Sequence, residues 1–145
     1  MDDHHVLRYV RPSLVDGDRI STSAFLCRQK ENECSVNWME RFDAPIANQC
    51  KCIREEKRIE WRPTGKLARL NVGAAKQRVA KEAEIALAFL YDPEDPAPPD
   101  HPKAHTSHSI INKMPKIDSP DGEMVGALLR EIIPQDDIFP TTGAS

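Results

Sequence analysis

Five of the eleven residues in DPEDPAPPDHP (92–102) are proline. Each proline lacks a backbone donor and fixes φ, so neither a helix nor a central strand runs through this stretch. It is expected to be a surface loop. Too little chain follows it to fold alone, so the loop belongs within a domain rather than between two. A chain of 145 residues is long enough for one independent core. The expected organisation is a single α+β domain over 1–134, with a proline-rich surface loop at 92–104 and a C-terminal tail at 135–145.

Hydrophobic residues make up 39% of the chain and charged residues 30%, the balance of an ordinary soluble protein. The longest strongly apolar run, IALAFLY (85–91), is far short of the roughly 20 residues a membrane span needs. The opening MDDHHVLRYV has no basic n-region and no apolar h-region, so it does not read as a secretory signal. A cytoplasmic location is expected, with the four cysteines as thiols.

Residue patterns give the elements. HVLRYVRP (5–12) reads as a strand ended by Pro12. RISTSAFLCR (19–28) alternates as a second strand, and VDGD (15–18) between them suits a turn, so the pair reads as a hairpin. CSVNWMERF (34–42) fits a short helix capped by Ser35 or, equally, a strand over CSVNW. Pro45 followed by Ile46, Cys50 and Ile53 predicts an amphipathic helix over 45–57. RIEWRP (58–63) and KLARLNVG (66–73) read as a second hairpin, with Gly73 as its stop.

The stretch 74–91 begins with helix-favouring composition and ends in a period of two. It is read as a turn or short helix leading into a buried strand, with one continuous helix as the alternative. Ser119, Pro120, Asp121 and Glu123 are helix-start chemistry for 119–133, with Met124, Val125, Leu128, Leu129 and Ile132 as its buried stripe. The fold class is therefore α+β: a mostly antiparallel sheet of four to five strands, with two to three helices on one face.

Charge is segregated. Residues 1–50 hold six Lys/Arg and eight Asp/Glu, residues 51–81 ten and three, and residues 82–145 four and twelve. Either the basic and acidic parts pack and neutralise each other, or the basic 51–81 segment meets a polyanion through Arg58, Arg62, Lys66 and Arg69. Trp61 is the only aromatic there, and three glutamates dilute the patch, so nucleic acid is not the favoured partner.

Three constellations could carry chemistry. His101, His105 and His108 lie within eight positions. Pro102 pushes His101 out of the α region, and no HExxH is present, so no metal site is expected there. His108 sits just before Ile110 and Ile111, which return the chain to the core, and is the best single candidate for a role. Cys27, Cys34, Cys50 and Cys52 are separated by six, fifteen and one residues, which fits small buried hydrophobes better than zinc knuckles. No phosphate-binding glycine motif and no GxSxG elbow occurs.

The third is RISTSAF. Arg8, Ser21-Thr22-Ser23 and the Glu82-x-Glu84 pair are similar to scattered points of the arginine–serine–glutamate pattern of ADP-ribosyltransferases. That similarity implies a nucleotide-binding Arg8 and a catalytic glutamate. Only twelve residues separate Arg8 from Ser21, where that family places helices and strands.

The leading expectation is a non-enzymatic accessory or regulatory protein whose partner is another protein, with no cofactor and no metal. The second is a small enzyme or nucleotide-binding protein with Ser21, Ser23, His105 and His108 near a cleft. The third is nucleic-acid binding through 51–81.

Overall fold

Val6 and Leu7 are adjacent, and both are buried. Neighbouring strand residues point to opposite faces, so the strand that carries them must be covered on both sides. The computed structural model describes residues 2–28, 31 and 33–142, and in it this strand, β1 (His5–Val10), lies inside the sheet. The other elements are β2 (Val15–Asp16), β3 (Arg19–Ile20), β4 (Glu33–Trp38), α1 (Ile46–Glu56), β5 (Lys66–Asn71), α2 (Val72–Ala83), β6 (Ala88–Tyr91), β7 (His108–Asn112), α3 (Pro120–Ile132) and β8 (Ile138–Pro140). Six strands form one sheet in the order β6-β7-β4-β1-β5-β8, while β2 and β3 pair separately. Every named pairing is antiparallel. The protein is of the α+β class, with a mostly antiparallel sheet.

The helices divide between the faces. Val6 and Val10 of β1 and Ala68 and Leu70 of β5 pack with Ala75 and Val79 of α2 and Val125 and Leu129 of α3. Leu7 and Leu67, one position out of phase, pack with Cys50 and Ile53 of α1 and Phe139 of β8. A second helical layer was not expected on this face. The signal for it is the apolar pair at consecutive strand positions, Val6-Leu7 and Leu67-Ala68, which marks two-sided burial.

Several local expectations change. The strand expected over 19–28 stops after Ile20. Ser21 N–H donates to the Leu14 carbonyl, Ser21 Oγ accepts from Ser23 N–H, and Ala24 N–H returns to the Ser21 carbonyl. The hydroxyls that suit an exposed strand face also offer the backbone a local turn, and here the turn wins. Ala24, Phe25 and Leu26 are buried without being a strand. The hairpin of 5–12 with 19–28 is therefore absent, and β1 pairs with β4 and β5 instead.

The open choice at 34–42 resolves as β4, with a single 3₁₀ turn at Met39–Arg41. RIEWRP is not a strand, and Ile59 is 61% exposed. Gly73 does not stop a strand. Val72 already begins α2, whose cap is Asn71 accepting from Ala74 N–H at 2.7 Å. The helix-then-strand reading of 74–91 holds, with Glu84 ending α2 in the left-handed region at φ 57°. β6 is an edge strand with Leu90 and Tyr91 exposed rather than a buried one.

In α3, Ser119 accepts from Gly122 N–H as the cap, but Met124 is exposed, and the buried positions are Gly122, Val125, Gly126 and Leu129. The segment expected as a tail contributes β8, paired with β5. Of the polar connection 29–33, Gln29, Lys30 and Asn32 lie outside the described residues, as do the last three residues of the chain. Among the described residues no helix is long and apolar enough to cross a membrane.

Candidate functional site

β4 is built for a site. In ECSVNW, Cys34 and Val36 enter the α2–α3 core, so Glu33, Ser35 and Asn37 face the opposite side. β7 pairs antiparallel to it with Asn37 opposite His108 and Ser35 opposite Ile110, which adds His108 to that face. α1 packs against β1, β5 and β8, and the polar face of β4 and β7 is left as the floor of a cleft of about 490 Å³. Lys57, Arg58, Ile59 and Trp61, which follow α1, line it together with Asp92, Glu94 and His105 from the proline loop and its return.

Arg8 creates the depth. β1 and β4 pair only at Val6–Trp38 and Leu7–Asn37. Beyond that, Arg8 donates through Nη1 to the Ser35 carbonyl at 2.6 Å and through Nε to the Ala24 carbonyl at 3.1 Å. A guanidinium thus takes a bond that a strand neighbour would otherwise make.

The two histidines are held differently. His108 Nδ1–H donates to the Asp92 carbonyl at 2.7 Å. A carbonyl only accepts, so in the neutral ring this bond fixes the tautomer and leaves a lone pair on Nε2. That lone pair lies 3.4 Å from Ser35 Oγ and 3.8 Å from Glu94 Oε1. His105 is 7% exposed. Its Nε2 donates to Asn37 Oδ1 at 2.7 Å, and Asn37 Nδ2 donates to the Leu7 carbonyl, which orients the amide. Among the described residues His105 Nδ1 has no hydrogen-bond partner, although Glu94 Oε1 is 3.4 Å away. Burial, then the neighbouring His108, push the His105 pKa below the ordinary histidine value, against the opposing pull of Glu56 and Glu94. The neutral ring therefore presents a buried lone pair beside a carboxylate. His105 Nδ1, His108 Nε2 and Glu94 Oε1 are three acceptors converging with no donor among them. Among the described residues the buried Nε–H of Arg58, whose guanidinium bonds Glu94, has no hydrogen-bond partner.

Glu56, at the end of α1, clamps the loop that carries both histidines. Its carboxylate accepts from the N–H and Oγ of Ser107 and from Thr106 Oγ1. Burial alone would raise the Glu56 pKa, but those bonds outweigh it and hold the carboxyl below the ordinary value. Arg58 ties the proline loop down from the other side through Glu94 and the carbonyls of Asp95 and Lys103.

Of the expected site residues, His105 and His108 come together, with ring centres 5.3 Å apart. His101 does not line the cleft. Ser21 and Ser23 do not join the histidines, because the turn at 21–24 carries them elsewhere; the serine in the cleft is Ser35. Sequence reasoning missed Ser35, Asn37, Glu94 and Glu56. For the first two, the signal was the strict polar alternation Glu33, Ser35, Asn37, which becomes legible once 33–38 is taken as a strand.

Glu82 and Glu84 line neither this cleft nor the cavity beside it, so the points similar to ADP-ribosyltransferases are not assembled. Cys27 and Cys34 are buried, and burial pushes the Cys34 thiol up to about 11, which suits packing rather than nucleophilic chemistry.

The basic segment is partly neutralised from within. Arg58 pairs with Glu94, Arg69 with Asp137 and Arg78 with Glu131, each a cation of 51–81 against an anion of 82–145. Lys66 and Arg69 are three apart on β5 and so face opposite sides. With Arg58 on the cleft wall and Arg62 in the loop before β5, the four residues do not form one patch.

No protein family, curated protein or solved structure matches the chain.

Proposed function

We propose that the protein is a small enzyme working by proton transfer in this cleft, with His108 as the general base and the Ser35 hydroxyl as the group it activates. One observation carries the reading: the Asp92 carbonyl fixes His108 with its Nε2 lone pair turned to a serine hydroxyl 3.4 Å away. That separation is long for a hydrogen bond, as catalytic contacts often are before substrate binds. In the proposed step His108 Nε2 takes the Ser35 proton as Oγ attacks an electrophilic carbonyl or phosphoryl centre. The imidazolium then returns the proton to the leaving oxygen. Arg58 and Lys57, which line the cleft, are the cations on hand for developing negative charge. Glu94, beside His108 in the cleft, would orient a hydroxyl or water for the second half of the reaction.

A fluorophosphonate reagent, which reports an activated serine without knowledge of the substrate, tests this. Labelling at Ser35 that disappears in His108→Ala is the expected result. An unlabelled Ser35 in the folded protein would remove the enzymatic reading.

A second reading, a non-enzymatic accessory protein acting through another protein, has its own support at the sheet edge. β6 has one paired side, and Leu90 and Tyr91 are 43% and 46% exposed on it. An unpaired strand edge with apolar side chains is a template for a partner strand. Leu90→Lys tests it: loss of a co-purifying partner with unchanged Ser35 labelling would favour this reading.

A further inference from the structure

A smaller cavity of about 220 Å³ opens beside the cleft, and Arg8, Tyr9 and Ile59 line both. Arg11, Arg28 and Ser23 complete its polar lining, and no carboxylate lines it among the described residues. Three arginines thus line one small open space, and their like charges make it a place where an anion is attracted. Arg8 uses Nε and Nη1 on backbone carbonyls, and Arg11 uses Nε on Ser13 Oγ at 3.1 Å. Among the described residues their remaining side-chain N–H groups have no hydrogen-bond partner. Arg28 has Glu31 at 3.6 Å, but both side chains are more than half exposed, so solvent screens that pair and a ligand can compete with it.

Size decides what kind of site this is. Ligand pockets for whole small molecules run to roughly 300–1,000 Å³. The cleft falls in that range and the side cavity falls below it, so the latter has room for one group of a ligand rather than for a separate ligand. The shared residues place it directly beside the cleft. Guanidinium forks match phosphate oxygens two at a time, and a dianion answers three cations better than a carboxylate does.

We propose that the cavity of Arg8, Arg11 and Arg28 is the anion subsite of the cleft, and that the substrate is a phosphate-bearing small molecule whose remainder reaches Ser35 and His108. The assignment of that remainder rests on the proposed function; the subsite itself can be measured without it.

The experiment is a titration of the full chain, followed by amide NMR shifts at low ionic strength, with inorganic phosphate, glycerol phosphate and acetate as separate probes. Saturable binding of both phosphates is expected, with glycerol phosphate tighter and acetate much weaker. Arg11→Gln and Arg28→Gln should each weaken phosphate binding by roughly tenfold, the scale of one charge-assisted hydrogen bond. Arg8 is left intact because it supports the β1–β4 junction. His108→Ala should leave inorganic phosphate binding unchanged. Absence of saturation, equal binding of acetate, or unaltered binding in the two arginine variants would overturn the subsite. Equal affinity for inorganic phosphate and glycerol phosphate would overturn the substrate class. Phosphate binding without fluorophosphonate labelling of Ser35 would support the subsite and count against the catalytic reading alone.

Discussion

Ser107 places both its backbone N–H and its hydroxyl on the same Glu56 oxygen, at 2.8 and 2.6 Å, across 51 positions of sequence. The clamp fixes the last turn of α1 to the segment entering β7, and that segment carries both cleft histidines. Ser107 is fully buried. When the carboxylate is removed, its hydroxyl keeps only the long bond to Asn37 Oδ1 at 3.4 Å, and its backbone N–H loses its acceptor.

Glu56→Ala is therefore expected to destabilise the fold by about 1–3 kcal/mol, the cost of leaving buried donors unpaired. Glu56→Gln should cost less, because its amide oxygen still accepts. Chemical denaturation of the three proteins checks the order, and a silent Glu56→Ala would mean that the histidine loop is held by other contacts.

Acid should lower the stability of the protein in two stages. His105 is depressed in the folded state, so the unfolded chain binds more protons and stability rises with pH. Its contribution is present above the ordinary histidine value of about 6.5 and is lost as pH falls through the depressed folded value. Glu56 has the same sign at lower pH. Its contribution is present above the ordinary glutamate value of about 4.3 and is lost as pH falls through its own lowered one. Melting temperatures followed from neutral to acid pH should show both losses, and His105→Gln should remove the first while keeping the second. The same acid profile in that variant would show that another group titrates.

Gly126 sets a different test, because two effects oppose each other there. A mid-helix glycine-to-alanine change gains about 1 kcal/mol from propensity alone. The added Cβ would overlap the carbonyl oxygen of Thr22, which is backbone and cannot rotate away. Steric cost should win, and Gly126→Ala should lower the melting temperature, in keeping with overpacking penalties of roughly 1–3 kcal/mol. A higher melting temperature would mean that α3 stands off from the 21–24 turn.

Elements set by local chemistry were readable in the sequence. Ser119-Pro120 announces α3, Pro45 with Ile46, Cys50 and Ile53 announces α1, and the prolines at 92–102 exclude regular structure. Pairing was not readable, because it depends on distant segments. Nothing near Val10 says that β1 joins β5 rather than the closer RISTSAF, and the Ser21–Ser23 hydroxyls that end that strand act through their own backbone. The cleft was half legible. His105 and His108 stand out as a cluster, whereas Ser35 and Asn37 reach them only through the β4–β7 register, and Glu56 only through a clamp spanning 51 positions.

The three histidines of the loop separate structure from chemistry. His101 lies outside the cleft, and its two backbone bonds, to Ala97, do not involve its ring. His101→Ala should leave both stability and Ser35 labelling unchanged. His105 is the most buried of the three, and its Nε2–H supports Asn37, which in turn holds the Leu7 carbonyl. Alanine there removes a buried hydrogen bond and leaves a void, so His105→Ala should cost stability on the order of 1–3 kcal/mol. His108 faces the cleft, and the Asp92 carbonyl that it bonds can turn to water, since Asp92 is exposed. His108→Ala should therefore lower stability least of the two cleft variants while abolishing Ser35 labelling. Thermal denaturation and fluorophosphonate labelling on the same three variants give the full comparison. If His108→Ala unfolds the protein while His105→Ala does not, the roles are exchanged: His108 is the strut, and the base must be sought at His105 Nδ1, the buried lone pair beside Glu94.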